Sequence, residues 1–307
     1  MGVDSRAVPR TRRVELTPAL FAKLALWSAV ALYLIIVSGA TVRLTGSGLG
    51  CEGWPGCGEG RLFPEKDHHQ AVEFGNRVVA IFPLTLSVLA WVAAWRLAGV
   101  ATWVRWLSFG VAAATIVQAP LGLVTIRLDL HPVAVLSHFL LAIAALGGAV
   151  VVAIEARALD RGRGEPVVPR WVQLGGVALA AVCLVLVVTG TLVTAAGPHA
   201  GDPDVVDRLW RLTDAMWVHV RASAAFGIGF LALLVYLWRR RPATERLLKV
   251  AGVLLALLLV QMAVGEIQYR NELPWWLVLG HVSLAAGIWA VTVLLATLLW
   301  VRPERRA

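Results

Sequence analysis

The chain has 307 residues, 59% of them hydrophobic and only 15% charged, with a mean hydropathy of +0.75. That is far too apolar for an ordinary soluble domain. Its net charge of +9 would suit nucleic acid, but the basic residues border apolar runs. Anionic lipid headgroups are therefore the expected partner, and nucleic acid is not.

Apolar runs long enough to span a bilayer recur eight times, at about 22–42, 71–95, 104–126, 133–154, 172–195, 214–238, 247–268 and 276–300. Their length and lack of period-two alternation predict helices rather than a barrel, hence an all-α integral membrane protein. Arg6, Arg10, Arg12, Arg13 and Lys23 precede or open the first span. Arg96 and Arg105 flank the loop after the second, and Arg157, Arg161, Arg163 and Arg170 fill the loop after the fourth. Arg239, Arg240, Arg241, Arg246 and Lys249 follow the sixth, and Arg302, Arg305 and Arg306 follow the eighth. Most basic residues thus share one side, and the positive-inside rule places both termini in the cytoplasm of a cell-membrane protein. Arg10–Arg13, the apolar residues 24–40 and Ser38-Gly39-Ala40 resemble a cleavable signal. The run is long for one, and Val37–Val42 echoes Val188–Val193 at the end of the fifth span. The first span is expected to be retained.

That echo belongs to a larger repeat. Gln118, Gly122 and His138 reappear 143 positions on as Gln261, Gly265 and His281, and the same step carries Asn76 onto His219. One shift that aligns several helix starts argues for a duplicated unit. The expected organisation is a cytoplasmic tail at 1–21, a four-helix half at 22–156, a linker at 157–171, a second half at 172–300 and a tail at 301–307.

The first span opens into a Gly-rich outer loop in which Cys51 and Cys57 bracket Trp54-Pro55. On the oxidising side of the membrane a short-range disulfide is expected there. A redox-active pair and a structural staple both remain open, while Cys183 reads as a small buried apolar residue. His68 and His69 read as solvated residues at the loop's end. In the second span Glu73 and Asn76 are three apart and share a helix face. A carboxylate at membrane depth is a functional candidate, although one in a first helical turn is also favoured by the helix dipole. Arg77 and its near counterpart Arg221 are placed to neutralise ligand carboxylates or to snorkel to the interface. His131 and His199 fall in loops. Glu266, near the outer end of the seventh span, reads as a proton-path residue or an interface anchor.

His219 and His281 both lie roughly 8 Å inside the outer boundary, at 1.5 Å per residue. Matched depth on repeat-related helices is what a flat macrocycle clamped from both faces requires. Bis-histidine ligation within a bundle suits a b-type haem, and with no Cys or carboxylate cluster beside them zinc is the poorer match. The first half offers Asn76 and His138 at the corresponding places. Asn is a poor iron ligand, so this half is expected to hold a haem by one His, with Glu73 on the vacant side.

With GATVRLTGSGLGCEGWPGC at 39–57, VEFGNR at 72–77, GLVTIRLDLHP at 122–132, TGTLVTAAGPHAGD at 189–202 and LGHVSLAA at 279–286, the chain resembles the haem A synthase family over about residues 22–300. The resemblance implies two four-helix bundles related by a pseudo-twofold axis, with haem b ligated by His219 and His281 in the second. It implies that the first binds haem O as substrate, with His138 as ligand and Glu73 as a catalytic carboxylate, and that Cys51 and Cys57 form the family's outer-loop disulfide. The implied reaction oxidises the C8 methyl of haem O to the formyl of haem A, with haem b as electron relay. Many members carry His where this chain has Asn76. Either His138 alone holds the iron, or His68, His69 or a water substitutes. A haem O synthase is the implied supplier of substrate; the electron donor is not identified, and homo-oligomerisation stays open. The rival readings are a membrane cytochrome b that only relays electrons, for example from quinol, and a repeat-built transporter. The transporter is disfavoured because the helices lack obvious mid-membrane breaks.

Overall fold

A computed structural model describes residues 15–58, 60–65, 67–198 and 210–304. His199 and the outermost basic residues of both termini lie outside them. Among the described residues eight helical segments are long and apolar enough to cross a membrane. In chain order the elements are α1 (Pro18–Leu44), α2 (His68–Val79), α3 (Ile81–Arg96), α4 (Thr102–Arg127), α5 (Pro132–Arg161), α6 (Arg170–Ala196), α7 (Leu212–Arg239), α8 (Glu245–Arg270) and α9 (Trp275–Trp300). Two-residue strands β1 (Arg163–Gly164) and β2 (Arg302–Pro303) pair antiparallel and tie the linker to the tail.

Local sequence sets the helix ends. Thr17 caps α1, its hydroxyl accepting from the Leu20 N–H at 3.2 Å ahead of Pro18 at the first helical position. His131 caps α5 in the same way, accepting from the Val133 N–H at 3.3 Å, with Pro132 next. The second span departs from the expected single helix at 71–95. It starts at His68 because Asp67 caps it, accepting from the Gln70 N–H at 3.2 Å. It then breaks at Ala80, since Pro83 lacks an N–H and its ring crowds the carbonyl of residue 79. Pro120, by contrast, sits inside an unbroken α4.

The duplication extends to the backbone. The α4–α5 connector places Asp129 and Leu130 at φ 47° and 56°, and the α8–α9 connector places Glu272 and Leu273 at 61° and 60°. Two successive non-glycine residues in the left-handed region are rare. Both pairs are locked alike: the Leu130 N–H donates to the Thr125 carbonyl at 2.9 Å and the Leu273 N–H to that of Gln268 at 2.8 Å.

Helix contacts form two cycles, α1–α2/α3–α4–α5 and α6–α7–α8–α9. They meet along α5 and α9, flanked by α1 against α9 and α5 against α6, which is a two-fold-like pattern. The Trp289 indole on α9 donates to the Ile143 carbonyl at 2.8 Å, and its ring lies where any side chain at Gly147 would stand. Leu32, Ile143, Leu146, Phe226, Phe230, Ala286 and Leu295 belong to one buried cluster shared by both cycles. Exposed Trp95, Trp103, Trp106, Trp171 and Trp238 gird the end that carries the start of α1 and the end of α9. Trp210, Trp217, Trp275 and Trp276 gird the opposite end, as in an aromatic belt.

Candidate functional site

The predicted site residues converge on the end of the bundles away from the described termini. His138, His219 and His281 each enter about two turns from a helix start, and each ring lies against a glycine of the preceding helix. A Cβ on Gly122 of α4 would lie 3.5 Å from His138 Cε1. On Gly190 of α6 it would lie 3.1 Å from His219 Cε1, and on Gly265 of α8 3.2 Å from His281 Cε1. A side chain at any of these positions would press on an imidazole, so the glycines fix ring positions rather than loosen the helices.

In the second cycle the Thr189 hydroxyl lies 3.1 Å from His219 Nδ1, which orients the ring and leaves Nε2 as its donor atom for a metal. Nδ1 of His281 and of His138 is buried with no partner. In the first cycle Gln118 donates to the His138 carbonyl at 3.2 Å. Among the described residues no three His, Cys, Asp or Glu side chains converge. Each imidazole therefore stands outside any such cluster.

Glu73 is buried, 4% exposed, and far from being a solvated helix-end carboxylate. The Cys51 N–H donates to its Oε2 at 2.8 Å, and the Arg77 guanidinium one turn on holds Oε1. Arg77 also donates to the carbonyls of Gly53 at 2.7 Å, Gly56 at 2.5 Å and Pro55 at 3.3 Å. Cys51 and Cys57 are disulfide-bonded, Cα to Cα 4.4 Å. The α1–α2 loop is therefore docked on α2 by the same ion pair that fixes Glu73. Close backbone approach completes the docking, since a Cβ on Gly50 would stand 2.7 Å from the His69 carbonyl carbon.

Other expectations meet different surroundings. Arg77 is spent on Glu73 and the loop, whereas Arg221 is exposed and lies over the Trp217 ring of its own helix, 3.1 Å from the centroid. His68 and His69 are exposed at the start of α2, and His69 faces the Ser47 hydroxyl at 3.0 Å. His69 sits roughly 10 Å of helix rise from Asn76, at 1.5 Å per residue. Glu266 is exposed and paired with Arg270, and Cys183 is buried and free. Asn76 Oδ1 is buried with no partner. Sequence reasoning missed Arg43, whose Nε is buried without a partner one turn from Gly39 on the same face of α1. A cation in the last turn of an apolar span was the available signal.

Fold and sequence repeat together define a duplicated eight-span membrane protein with His138 seated on a glycine in one half and His219 and His281 in the other. The profile of the COX15-CtaA family, described as cytochrome oxidase assembly protein, matches residues 22–293. The chain belongs to that family. It is similar to a protein of Symbiobacterium thermophilum named "Heme A synthase", 28% identical over 274 residues that cover 84% of this chain and 88% of the relative. Shorter stretches resemble proteins of the same name. One from Bacillus pumilus is 43% identical over 63 residues, 19% of this chain and 20% of the relative. One from Geobacillus thermodenitrificans is 36% identical over 61 residues, 20% of this chain and 17% of the relative.

Proposed function

We propose that this protein is a haem A synthase, an oxidoreductase that converts the C8 methyl of haem O to a formyl group by successive hydroxylations and loss of water. Family membership supports the reaction class. The observation that carries the site assignment is the seating of His219 and His281 against Gly190 and Gly265 in one bundle, beside His138 and the buried Glu73 in the other.

The second half, 172–300, is the haem b half. Its donor set fits: two imidazoles at matched depth on α7 and α9, each with a glycine behind it, and Thr189 orienting the His219 ring through Nδ1. Bound there, haem b supplies one-electron transfer. The first half, 22–156, takes haem O as substrate through His138. Glu73 faces the reacting group as positioning residue and proton acceptor. Each of its oxygens is engaged once by the protein and keeps a second lone pair for substrate. Arg77 holds the carboxylate rotamer, and the docked disulfide loop keeps bulk water from that side. The membrane is the cell membrane, with both termini cytoplasmic and both centres near the outer face. A haem O synthase supplies the substrate, and a separate donor supplies electrons.

The test is chromatographic. Protein expressed aerobically with a supply of haem O is purified, its haems are extracted, and each is identified by mass. Haem A should form with the wild type, and with Glu73→Gln it should be lost while haem b stays bound. Haem b alone, with haem O untouched under electron supply, would overturn the reading in favour of a relay cytochrome.

A further inference from the structure

Among the described residues at the site end of the bundles, every arginine but one is paired, stacked or exposed. Arg61, Arg77 and Arg270 are paired with Glu65, Glu73 and Glu266, Arg221 lies over the Trp217 ring, and Arg127 and Arg211 are exposed. Arg43, in the last turn of α1, is the exception. It is half-buried, its Nε is buried without a partner, and its guanidinium makes no ion pair or hydrogen bond with the described residues. An uncompensated cation in a membrane bundle is costly, and one is kept where an anion completes it. The buried carboxylate of this half does not, since Arg77 holds Oε1 of Glu73 and the Cys51 N–H holds Oε2 at 2.8 Å.

The duplicated unit shows that this cation belongs to the first half alone. Arg43 and Thr194 each stand four residues after the matched glycines Gly39 and Gly190. Thr194 is neutral, and its hydroxyl donates to the Gly190 carbonyl at 3.1 Å. Four residues apart on a helix, Gly39 and Arg43 share a face. A Cβ on Gly190 would stand 3.1 Å from the His219 ring, whereas a Cβ on Gly39 would meet nothing within 4 Å. The matching side of α1 therefore has room beside the cation. Beyond Arg43 the chain folds back over the helix end: the Ser47 N–H donates to the Val42 carbonyl at 2.9 Å, and the fully buried Ser47 faces His69 of α2 at 3.0 Å. That closure favours a carboxylate carried into the bundle over a lipid headgroup at its rim.

We infer that Arg43 anchors a carboxylate of the porphyrin substrate, a propionate of haem O, and so sets how the macrocycle is turned in the first half. This anchoring rests on the substrate reading of that half and adds to it a contact at the macrocycle's edge. His138 alone would fix the iron and leave the ring free to turn about the iron–imidazole axis. The C8 methyl of haem O neighbours a propionate, so a guanidinium on that propionate decides where the methyl lies. The planar fork of arginine matches a carboxylate through two parallel N–H donors.

The test compares haem O with its dimethyl ester, which keeps iron and ring and removes the charge of both propionates. Each is titrated into protein expressed without a haem O supply and carrying haem b, and Kd is read from the Soret change. The wild type should bind haem O about ten- to a hundredfold more tightly than the diester, the worth of a charge-assisted hydrogen bond. Arg43→Gln should lose most of that preference through weaker binding of haem O, with the diester Kd and the haem b content unchanged. Arg43→Lys, which keeps the charge and loses the fork, should show an intermediate preference. A wild type that does not distinguish acid from ester would overturn the inference without recourse to any variant, and so would an undiminished preference in Arg43→Gln. Phospholipid phosphorus is counted in the same samples. Its loss from Arg43→Gln with haem O affinity unchanged would assign the cation to a lipid phosphate instead. Haem A formation is scored separately in air under electron supply. Turnover by a wild type without ester discrimination sinks this inference and spares the synthase, and discrimination that depends on Arg43 without turnover does the reverse.

Discussion

The two bundles use one scaffold and differ where chemistry would differ. Both keep the left-handed connector, the glycine behind the following histidine and the same cyclic helix order. The second has a continuous α7 that carries His219 against Gly190. The first breaks the corresponding span at Ala80, replaces the histidine by Asn76, and docks a disulfide-closed loop over it through Glu73 and Arg77. Under the proposed reading, the half with two imidazoles holds the centre that only changes charge, and the half with one imidazole and the buried Glu73 holds the centre that reacts.

The sharpest way to break that comparison is to remove ligands one half at a time. His219→Ala or His281→Ala should abolish haem b retention almost completely, and His138→Ala should leave it intact while ending haem A formation. Haem extraction and absorbance of the purified variants decide the matter. Loss of haem b from His138→Ala would mean that the halves are not separate centres.

Next in size is the contrast between two arginines. Arg77→Ala removes the partner of Glu73 and three loop contacts together. It should expose the Cys51–Cys57 bond, with thiol release by a mild reductant at least several-fold faster than in the wild type. Arg221→Ala, at an exposed side chain stacked on Trp217, should leave that rate unchanged. Glu73→Gln keeps the Cys51 contact and weakens only the ion pair, so its rate should fall between the two.

How far the sequence foretold this can be argued from single residues. Eight spans were legible because burial in lipid leaves long apolar runs, and the 143-residue repeat was legible because Gln118, Gly122 and His138 recur intact. The break at Ala80 was not, since Pro120 interrupts no helix while Pro83 does. Proline's effect depends on whether neighbouring helices make up the lost bond, and tertiary packing decides that. Glu73 was visible as a carboxylate at membrane depth. Its bond to the Cys51 N–H was not, because nothing local predicts how a Gly-rich loop folds back. The glycines behind the imidazoles stood in the repeat, but their role needs the helix–helix register, which only the folded bundle supplies.

Those glycines give the third test. Gly190→Ala places a methyl 3.1 Å from the His219 ring and should weaken haem b retention by about 1–3 kcal/mol of overpacking. Gly39→Ala meets open space and should leave haem b retention as it is. Competition for haem b by apomyoglobin measures both. Equal loss in the two variants would show that the glycines serve helix packing generally.

The smallest expected effect lies on the seam between the halves. The Trp289 indole bridges α9 to α5 through its hydrogen bond to the Ile143 carbonyl, and its ring packs on the bare backbone at Gly147. Trp289→Phe keeps much of the apolar packing and deletes the donor. The loss should be about 1 kcal/mol, or a fall in Tm of roughly 2–4 °C in detergent for a chain of this size. Haem b content should be unchanged, because neither α7 nor the ligand-bearing turn of α9 touches this contact. A larger drop, with haem b lost in parallel, would mean that the seam holds the second centre in shape and that the halves depend on each other for more than adhesion.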